Sequence, residues 1–270
     1  MRTDWLVVRG TAGFTLSGGW DKALRCLLVR YAESVNETGF LRSVIGGNGF
    51  ERHYIRGRFD RKLIQPQRYT VHDGFQKHHV QGQPPSDCDV EYIVRDGVLN
   101  HHYFIQAKHA ARGEIGYLDS LVATLRGDLG KGMRQLRGAR ACLENGQLQS
   151  LWASRGLSEV TAANSSFLLV HNIAHLDLQM TQDGIALYDW RTLRNLLDDG
   201  SATAMRSGGG EVTMHFDSPG IVADPVQIVK KLMSEHVIYA NAAEAAWAAT
   251  SVSTSMELVG GTVHITALGL

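Results

Sequence analysis

Apolar and polar positions along the chain change period several times, and each change marks an element. A short strand-like opening, Trp5–Val8, leads to a helical stretch over residues 20–37. There Trp20, Leu24, Leu27, Tyr31 and Val35 recur at spacings of three and four, Asp21 sits in the first turn, where the helix dipole favours an acid, and Gly39 supplies a stop. The Gly-Gly-Asn-Gly run at 46–49 reads as a tight loop between strands. Val90–Val94 is rich in β-formers, Asp96-Gly97 is a hairpin signal, and His101–Ala107 is again β-like. Residues 86–110 therefore read as one hairpin, with Asp89 near the start of its first strand and Lys108 at the end of its second.

A second long helix is predicted from Leu118 to Asn145, with Leu118, Leu121, Leu125, Leu129, Leu136 and Leu143 near one face. Gly127, Gly130, Gly132 and Gly138 each weaken it by roughly 1 kcal/mol against Ala, so a bend or break is expected. Ser166–Val170 is a continuous apolar run of the kind found in buried strands. Further on, Gly184–Tyr188 reads as a strand, Arg191–Leu197 as a short helix and Ser207–Gly210 as a flexible loop. Asp224-Pro225 opens a helix expected to continue to Trp247, and Thr262–Ala267 closes the chain as a strand.

Composition adds boundaries. Apolar residues make up 44% and charged residues 20%, which suits a globular protein. No apolar run approaches the roughly 18 residues of a membrane span, so no membrane partner is expected. The start, MRTDWLVVRGTAGF, lacks the apolar stretch of a secretory signal. Cys26, Cys88 and Cys142 form neither a CxxC zinc pattern nor an even disulfide framework, and a cytoplasmic location is expected. Charge is unevenly spread: residues 1–150 hold 21 Lys/Arg and 15 Asp/Glu, whereas residues 151–270 hold 6 and 12. The positive first half suits a polyanionic partner.

The chemistry concentrates in the hairpin. Strand side chains alternate, so Asp87, Asp89 and Glu91 share one face, and Gln106 and Lys108 share another. Were these faces the same side of the sheet, acids, an amide oxygen and an ammonium would converge. A hard cation such as Mg²⁺ takes oxygen ligands. Asp89 offers a carboxylate, Gln106 its amide oxygen and Ala107 a backbone carbonyl, with Asp87 as the fallback acid. Lys108 can orient a water or stabilise charge on a phosphate. A solvated strand face would carry the same acids, but Gln106 interrupts an apolar strand on the way to Lys108.

Arg52, Arg56, Arg58, Arg61, Lys62 and Arg68 interleave with Tyr54, Phe59 and Tyr69, a mixture that suits phosphate contact and base stacking. A solvated, twisted pair of strands would have the same composition. Arg134, Arg137 and Arg140 lie one helical turn apart and read chiefly as a solvated face; Lys131 and Arg134 are the candidates there for nucleic-acid contact. Twelve histidines show no HExxH or finger spacing, and neither a P-loop nor a GxSxG elbow is present.

The stretch SDCDVEYIVRDG…YFIQAKH resembles the PD-(D/E)xK nuclease superfamily. It is especially similar to Mrr-type restriction nucleases and the nuclease domains of bacterial antiphage effectors, which carry Gln in place of the acid before x-Lys. The resemblance implies an α/β fold with a restriction-endonuclease-like core, helix–three strands–helix–strand on a mixed sheet, over residues 1–175, and a smaller C-terminal α/β extension over 176–270 packed on it. The family aspartate carries over to Asp89 and the Gln-x-Lys to Gln106 and Lys108. A glutamine of the following helix carries over to Gln135, with Lys131 one turn earlier. The implied activity is Mg²⁺- or Mn²⁺-dependent phosphodiester hydrolysis, of DNA in preference to RNA, in restriction or antiphage defence. A second defence-system subunit and a homo-oligomeric partner are compatible with it. Two features depart from the pattern: Glu33 and Glu37 fall away from the apolar face of the first helix, and GQPPS before Asp87 offers no further acid. The main rival is accordingly a non-catalytic nuclease-fold module that binds nucleic acid or protein; a histidine-based zinc hydrolase is the second.

Overall fold

The computed structural model describes residues 7–10, 13–16, 35, 39, 42–60, 65–75, 89–110, 126–147, 149–154, 156–173, 176–205, 211–216, 220–235, 251–258 and 261–268. Residues Met1–Pro225 form one unit and Val226–Leu270 a second.

The first unit is built on a six-stranded mixed sheet. Its strands are β3 (Tyr69–Phe75), β4 (Val90–Asp96), β5 (His101–Ala107), β6 (Ser165–His171), β7 (Gln179–Met180) and β8 (Ile185–Asp189), in the spatial order β3-β4-β5-β6-β8-β7. The first three strands form an antiparallel meander. β5, β6 and β8 then run parallel, and β7 closes the edge antiparallel. The sheet thus continues past residue 175, where the sequence suggested a division, because β8 pairs directly with β6. Two small hairpins, β1–β2 (Val7–Gly10 and Gly13–Leu16) and β9–β10 (Ser201–Met205 and Glu211–His215), stand apart from this sheet.

Helices cover both faces of the sheet. On one side Ile93, Phe104, Phe167, Leu169, Ile185 and Leu187 pack with Leu129, Leu136, Ala139 and Leu143 of a helix at Asp128–Glu144. The Trp152 ring meets Phe75 and Phe104 edge-on, at 5.0 and 5.6 Å. On the other side Tyr92, Val94, Tyr103, Ile105, Leu168, Val170 and Tyr188 are buried. Here the Phe59 ring meets Tyr92 at 5.2 Å and Trp190 at 5.5 Å. In chain order we label the helices α1 (Arg42–Tyr54, a π-type segment), α2 (Ile55–Asp60), α3 (Asp128–Glu144), α4 (Gln149–Ser154), α5 (Trp190–Asp198) and α6 (Pro225–Glu235).

Three expectations change. The glycine run at 46–49 is not a loop between strands but part of α1, where a Cβ on Gly46 would lie 3.5 Å from the His109 Cβ. Arg52, Arg56 and Arg58 are consequently on helices rather than strands. And the expected break falls at Gly127 alone, a turn between helical Arg126 and the start of α3; α3 then runs unbroken through Gly130, Gly132 and Gly138 because its leucines are held by the sheet, burial outweighing a cost of about 1 kcal/mol per glycine. The helix read over residues 20–37, the start of the second helix at 118–125, the Ser207–Gly210 loop and the continuation of α6 to Trp247 lie outside the described residues. In the second unit, β11 (Ser251–Leu258) pairs antiparallel with β12 (Gly261–Leu268) along its whole length. No helix among the described residues is long and apolar enough to cross a membrane.

The β4–β5 turn is organised by Asp96, which is fully buried. Its Oδ1 accepts the N–H groups of Val98 and Leu99, and its Oδ2 accepts Nε and Nη2 of Arg68 at 2.9 and 2.7 Å. Asn100 completes the turn with a left-handed φ of 50°. Removing the carboxylate strands the Arg68 guanidinium, part of which stays in water, and frees two turn amides. We expect Asp96→Ala to lower stability by about 2 kcal/mol, read as a lower urea midpoint with an unchanged denaturant slope.

Candidate metal and phosphate site

β4 and β5 pair with Tyr92 opposite Ile105 and Ile93 opposite Phe104. The paired register ends at Tyr92 and Ile105. Gln106 follows Phe104 at a spacing of two, which puts it on the side covered by α3, and Asp89 reaches that side through its hydrogen bond to Gln135; simple alternation does not carry through β4 here, because Val90 packs in the same cluster as Ile93. β3 presses close at this point: a Cβ on Gly74 would lie 1.8 Å from the Val90 carbonyl oxygen, so only glycine fits beside the acidic strand.

Helix α3 completes the arrangement. Gln135 Nε2 donates to Asp89 Oδ2 at 2.7 Å. One turn earlier, a Cβ on Gly132 would stand 2.6 Å from Leu169 Cδ1 and 2.9 Å from Lys108 Cγ, so the lysine stem occupies the space that a side chain would need. Lys108 is only 9% exposed, and its Nζ lies 3.6 Å from Glu51 Oε2. The other oxygen of Glu51 accepts the backbone N–H of His109 at 3.2 Å. The segment carrying Glu51 is in turn fastened by Tyr92, whose hydroxyl donates to the Glu51 carbonyl at 2.7 Å. His171, fully buried, stands beside Lys108 if the parallel β5–β6 register is carried one residue further.

This is an unusual electrostatic setting. Burial pushes the Glu91 carboxyl above its ordinary value; Lys108 opposes that shift, Glu51 adds to it, Arg52 opposes it and Asp89 adds to it. Gln106 and Gln135 are 1% and 2% exposed, and the Oε1 of each is buried with no hydrogen-bond partner. Leaving such an acceptor dry costs on the order of 1–3 kcal/mol. Amide oxygens of this kind are donors that a hard cation accepts, and that of Gln135 belongs to the amide that holds the Asp89 carboxylate. Among the described residues, no three His, Cys, Asp or Glu side chains come together as a metal-holding group.

The structure joins Gln135 to Asp89 and packs the Lys108 stem against α3 at Gly132, with Gln106 buried two residues before Lys108 and Ala107 buried between them. Asp87, Arg61 and Lys62 lie outside the described residues, as do Glu33 and Glu37. Arg52 is exposed, Arg56 pairs with Asp73, and Arg58 lies over the Tyr54 ring. Lys131 and Arg134 are exposed on α3 next to Gly132 and Gln135. Arg137 is exposed and Arg140 half-buried on that face, and both are partnered: Arg137 Nε donates to Asp183 Oδ2 at 2.5 Å, and Arg140 donates to the Asp183 and Gly184 carbonyls, fastening α3 to the turn before β8. Of the histidine pairs, His101 Nε2 bonds Ser166 Oγ at 2.9 Å, and His102 is buried and pushed down to about 4, mainly by burial. Sequence reasoning missed Glu51, because 46–49 looked like a loop. The spacing of four that links Gly46, Phe50, Tyr54 and Arg58 was the available sign of a helix there.

Comparison of the chain with protein-family models, with curated proteins and with solved structures finds no match.

Two variants test this geometry. Gly132→Ala gains about 1 kcal/mol of helix propensity but overpacks the Lys108 stem and Leu169, at about 1–3 kcal/mol; a net loss of about 1 kcal/mol is expected in urea unfolding. A carboxyl whose folded pKa is raised contributes stability that is present at acid pH and lost as pH rises through the folded value. Glu91→Gln should therefore flatten the decline in stability between mildly acid and neutral pH. Unfolding curves in chelator across that range check it, and an unchanged slope would place Glu91 in water.

Proposed function

We propose that the chain is a metal-dependent nuclease of the PD-(D/E)xK type that hydrolyses phosphodiester bonds, with DNA as its substrate and defence against foreign DNA as its setting. The observation that carries this reading is the pair of buried, unpartnered amide oxygens, on Gln106 and Gln135, beside Asp89 and Lys108. The chain order supports it as well: helical residues 42–60, three antiparallel strands, α3, then a strand parallel to β5. That is the order which the resemblance implies.

Asp89 and Gln106 would hold Mg²⁺ or Mn²⁺, with the Ala107 carbonyl and Glu91 as neighbouring oxygen donors. The ion would supply Lewis acidity at the phosphate and a more acidic water. The remaining roles belong to the protein. Gln135 holds the Asp89 carboxylate in place. Lys108, steadied by Glu51, presents an ammonium from a nearly dry setting, where it stabilises negative charge developing on phosphoryl oxygens more than it would in water. Lys131 and Arg134, on the outer side of α3, can meet phosphates further along the strand.

The test is cleavage of plasmid and oligonucleotide substrates in Mg²⁺ and in Mn²⁺. Asp89→Ala and Lys108→Ala should each lower the rate by about a hundredfold or more, with circular dichroism unchanged. Gln106→Glu should retain metal-dependent cleavage, whereas Gln106→Leu, which removes the oxygen, should lose it. Full activity in both Asp89→Ala and Lys108→Ala would refute the assignment. Nucleic-acid binding without cleavage in either metal would make the chain a non-catalytic module of the same fold.

A further inference from the structure

Beside the Lys108 site runs a second feature that phosphodiester chemistry does not use. Gly46, Phe50, Tyr54 and Arg58 follow one another at a spacing of four along α1 and into α2. The His109 ring covers Gly46 and meets Phe50 at 5.2 Å. Phe50 and Tyr54 are 6.0 Å apart with planes within 13° of parallel. The Arg58 guanidinium then lies 5.0 Å from the Tyr54 ring centre. Four flat groups therefore stand in succession, from the residue next to Lys108 outward. This is not core packing: Tyr54 is 43% exposed, and Arg52 and His53 beside it are also exposed.

We propose that this ladder is a stacking platform for unpaired nucleobases, so that the strand entering the site is single-stranded there. The inference rests on the nuclease reading only for the identity of the ligand. Every base presents a π-face, and stacking on exposed aromatics is the sequence-tolerant way to hold a single strand. With Phe50 on one face of Tyr54, an entering base takes the other in place of the Arg58 guanidinium, which then meets the strand's phosphate. In a duplex those faces are buried against neighbouring base pairs, so the exposed Tyr54 ring has nothing there to stack on. Position supports the same conclusion. Glu51, whose carboxylate reaches Lys108, is the residue after Phe50, and its other oxygen holds the His109 backbone. A strand whose phosphate rests at Lys108 has its flanking base beside His109 and Phe50. The exposed Arg52 and His53, and the arginine at the far end of the ladder, provide the charge for its backbone.

The experiment is fluorescence anisotropy on the full chain in chelator, where no cleavage occurs. The probes are a labelled deoxyoligonucleotide of mixed sequence, the duplex with its complement, and a ribo-oligonucleotide of the same sequence. Tyr54→Ala should weaken single-strand binding about tenfold, as expected for one lost base stack, and Tyr54→Phe should restore it. Duplex affinity should change by less than about twofold, because backbone contacts are untouched. The ribose strand should lose as much as the deoxyribose strand, since stacking reads bases and not sugars. Unchanged single-strand affinity in Tyr54→Ala, an equal loss on duplex, or failure of Tyr54→Phe to restore binding would overturn the proposal. The outcome is separable from the nuclease reading: Tyr54-dependent single-strand binding by a chain that cleaves nothing would overturn that reading alone.

Discussion

Helix α3 carries no side chain at position 132, and the space a Cβ would take is filled by Leu169 and by the stem of Lys108. That close approach sets the depth at which the helix lies on the sheet, and the depth determines the rest of the site. One turn along, it brings the Gln135 amide within 2.7 Å of Asp89. Below the helix, the lysine stem is pressed flat, so its ammonium emerges toward α1 and Glu51 rather than toward water. Further along the helix, Arg137 and Arg140 pin it to the turn at 183–184. The helix is thus fixed at both ends of its buried face. Its glycines, which as isolated residues weaken it, make the close packing geometrically available.

The composition of the site follows from that burial. A carboxylate at position 106, fully enclosed between β4 and α3, would add a third acid beside Asp89 and Glu91, and Glu91 already has its carboxyl pushed upward by burial and by its acidic neighbours. An amide at the same place keeps an oxygen donor without a second desolvated charge. The Oε1 atoms of Gln106 and Gln135 are buried without a protein hydrogen-bond partner, and an acceptor left so costs on the order of 1–3 kcal/mol.

The parts visible in the sequence were those whose pattern is local. β4 and β5 announce themselves by β-branched and aromatic residues around Asp96-Gly97, β6 by a continuous apolar run, and α5 by the periodic leucines of Arg191–Leu197. Asp89, Gln106, Lys108 and Gln135 could be picked out because three of them sit on that hairpin and the fourth on a periodic helix. Glu51 could not be, for a physical reason. Its helix contains Gly46, Gly47 and Gly49, has little propensity of its own, and owes its form to tertiary contacts such as Gly46 on His109 and the Tyr92 hydroxyl on the Glu51 carbonyl. The same blindness hid the burial of Asp96 and the pairing of Arg137 with Asp183, since ion pairs across 28 and 46 residues leave no periodic trace.

That glycine-rich helix also explains why two different chemistries are adjacent. Residues 50 and 51 point to different sides of one helical turn, so Phe50 joins the ring ladder while Glu51 reaches Lys108. His109 and Lys108 repeat the division at the end of β5, one side chain on Phe50 and the other under α3. Two neighbouring residues from each of two elements therefore separate a flat, aromatic surface from a dry, charged one. The two elements are joined through the hydrogen bond that the His109 backbone N–H donates to the Glu51 carboxylate. Any displacement of α1 must move ring surface and ammonium partner together, so the ring ladder and the setting of Lys108 are positioned by a single element.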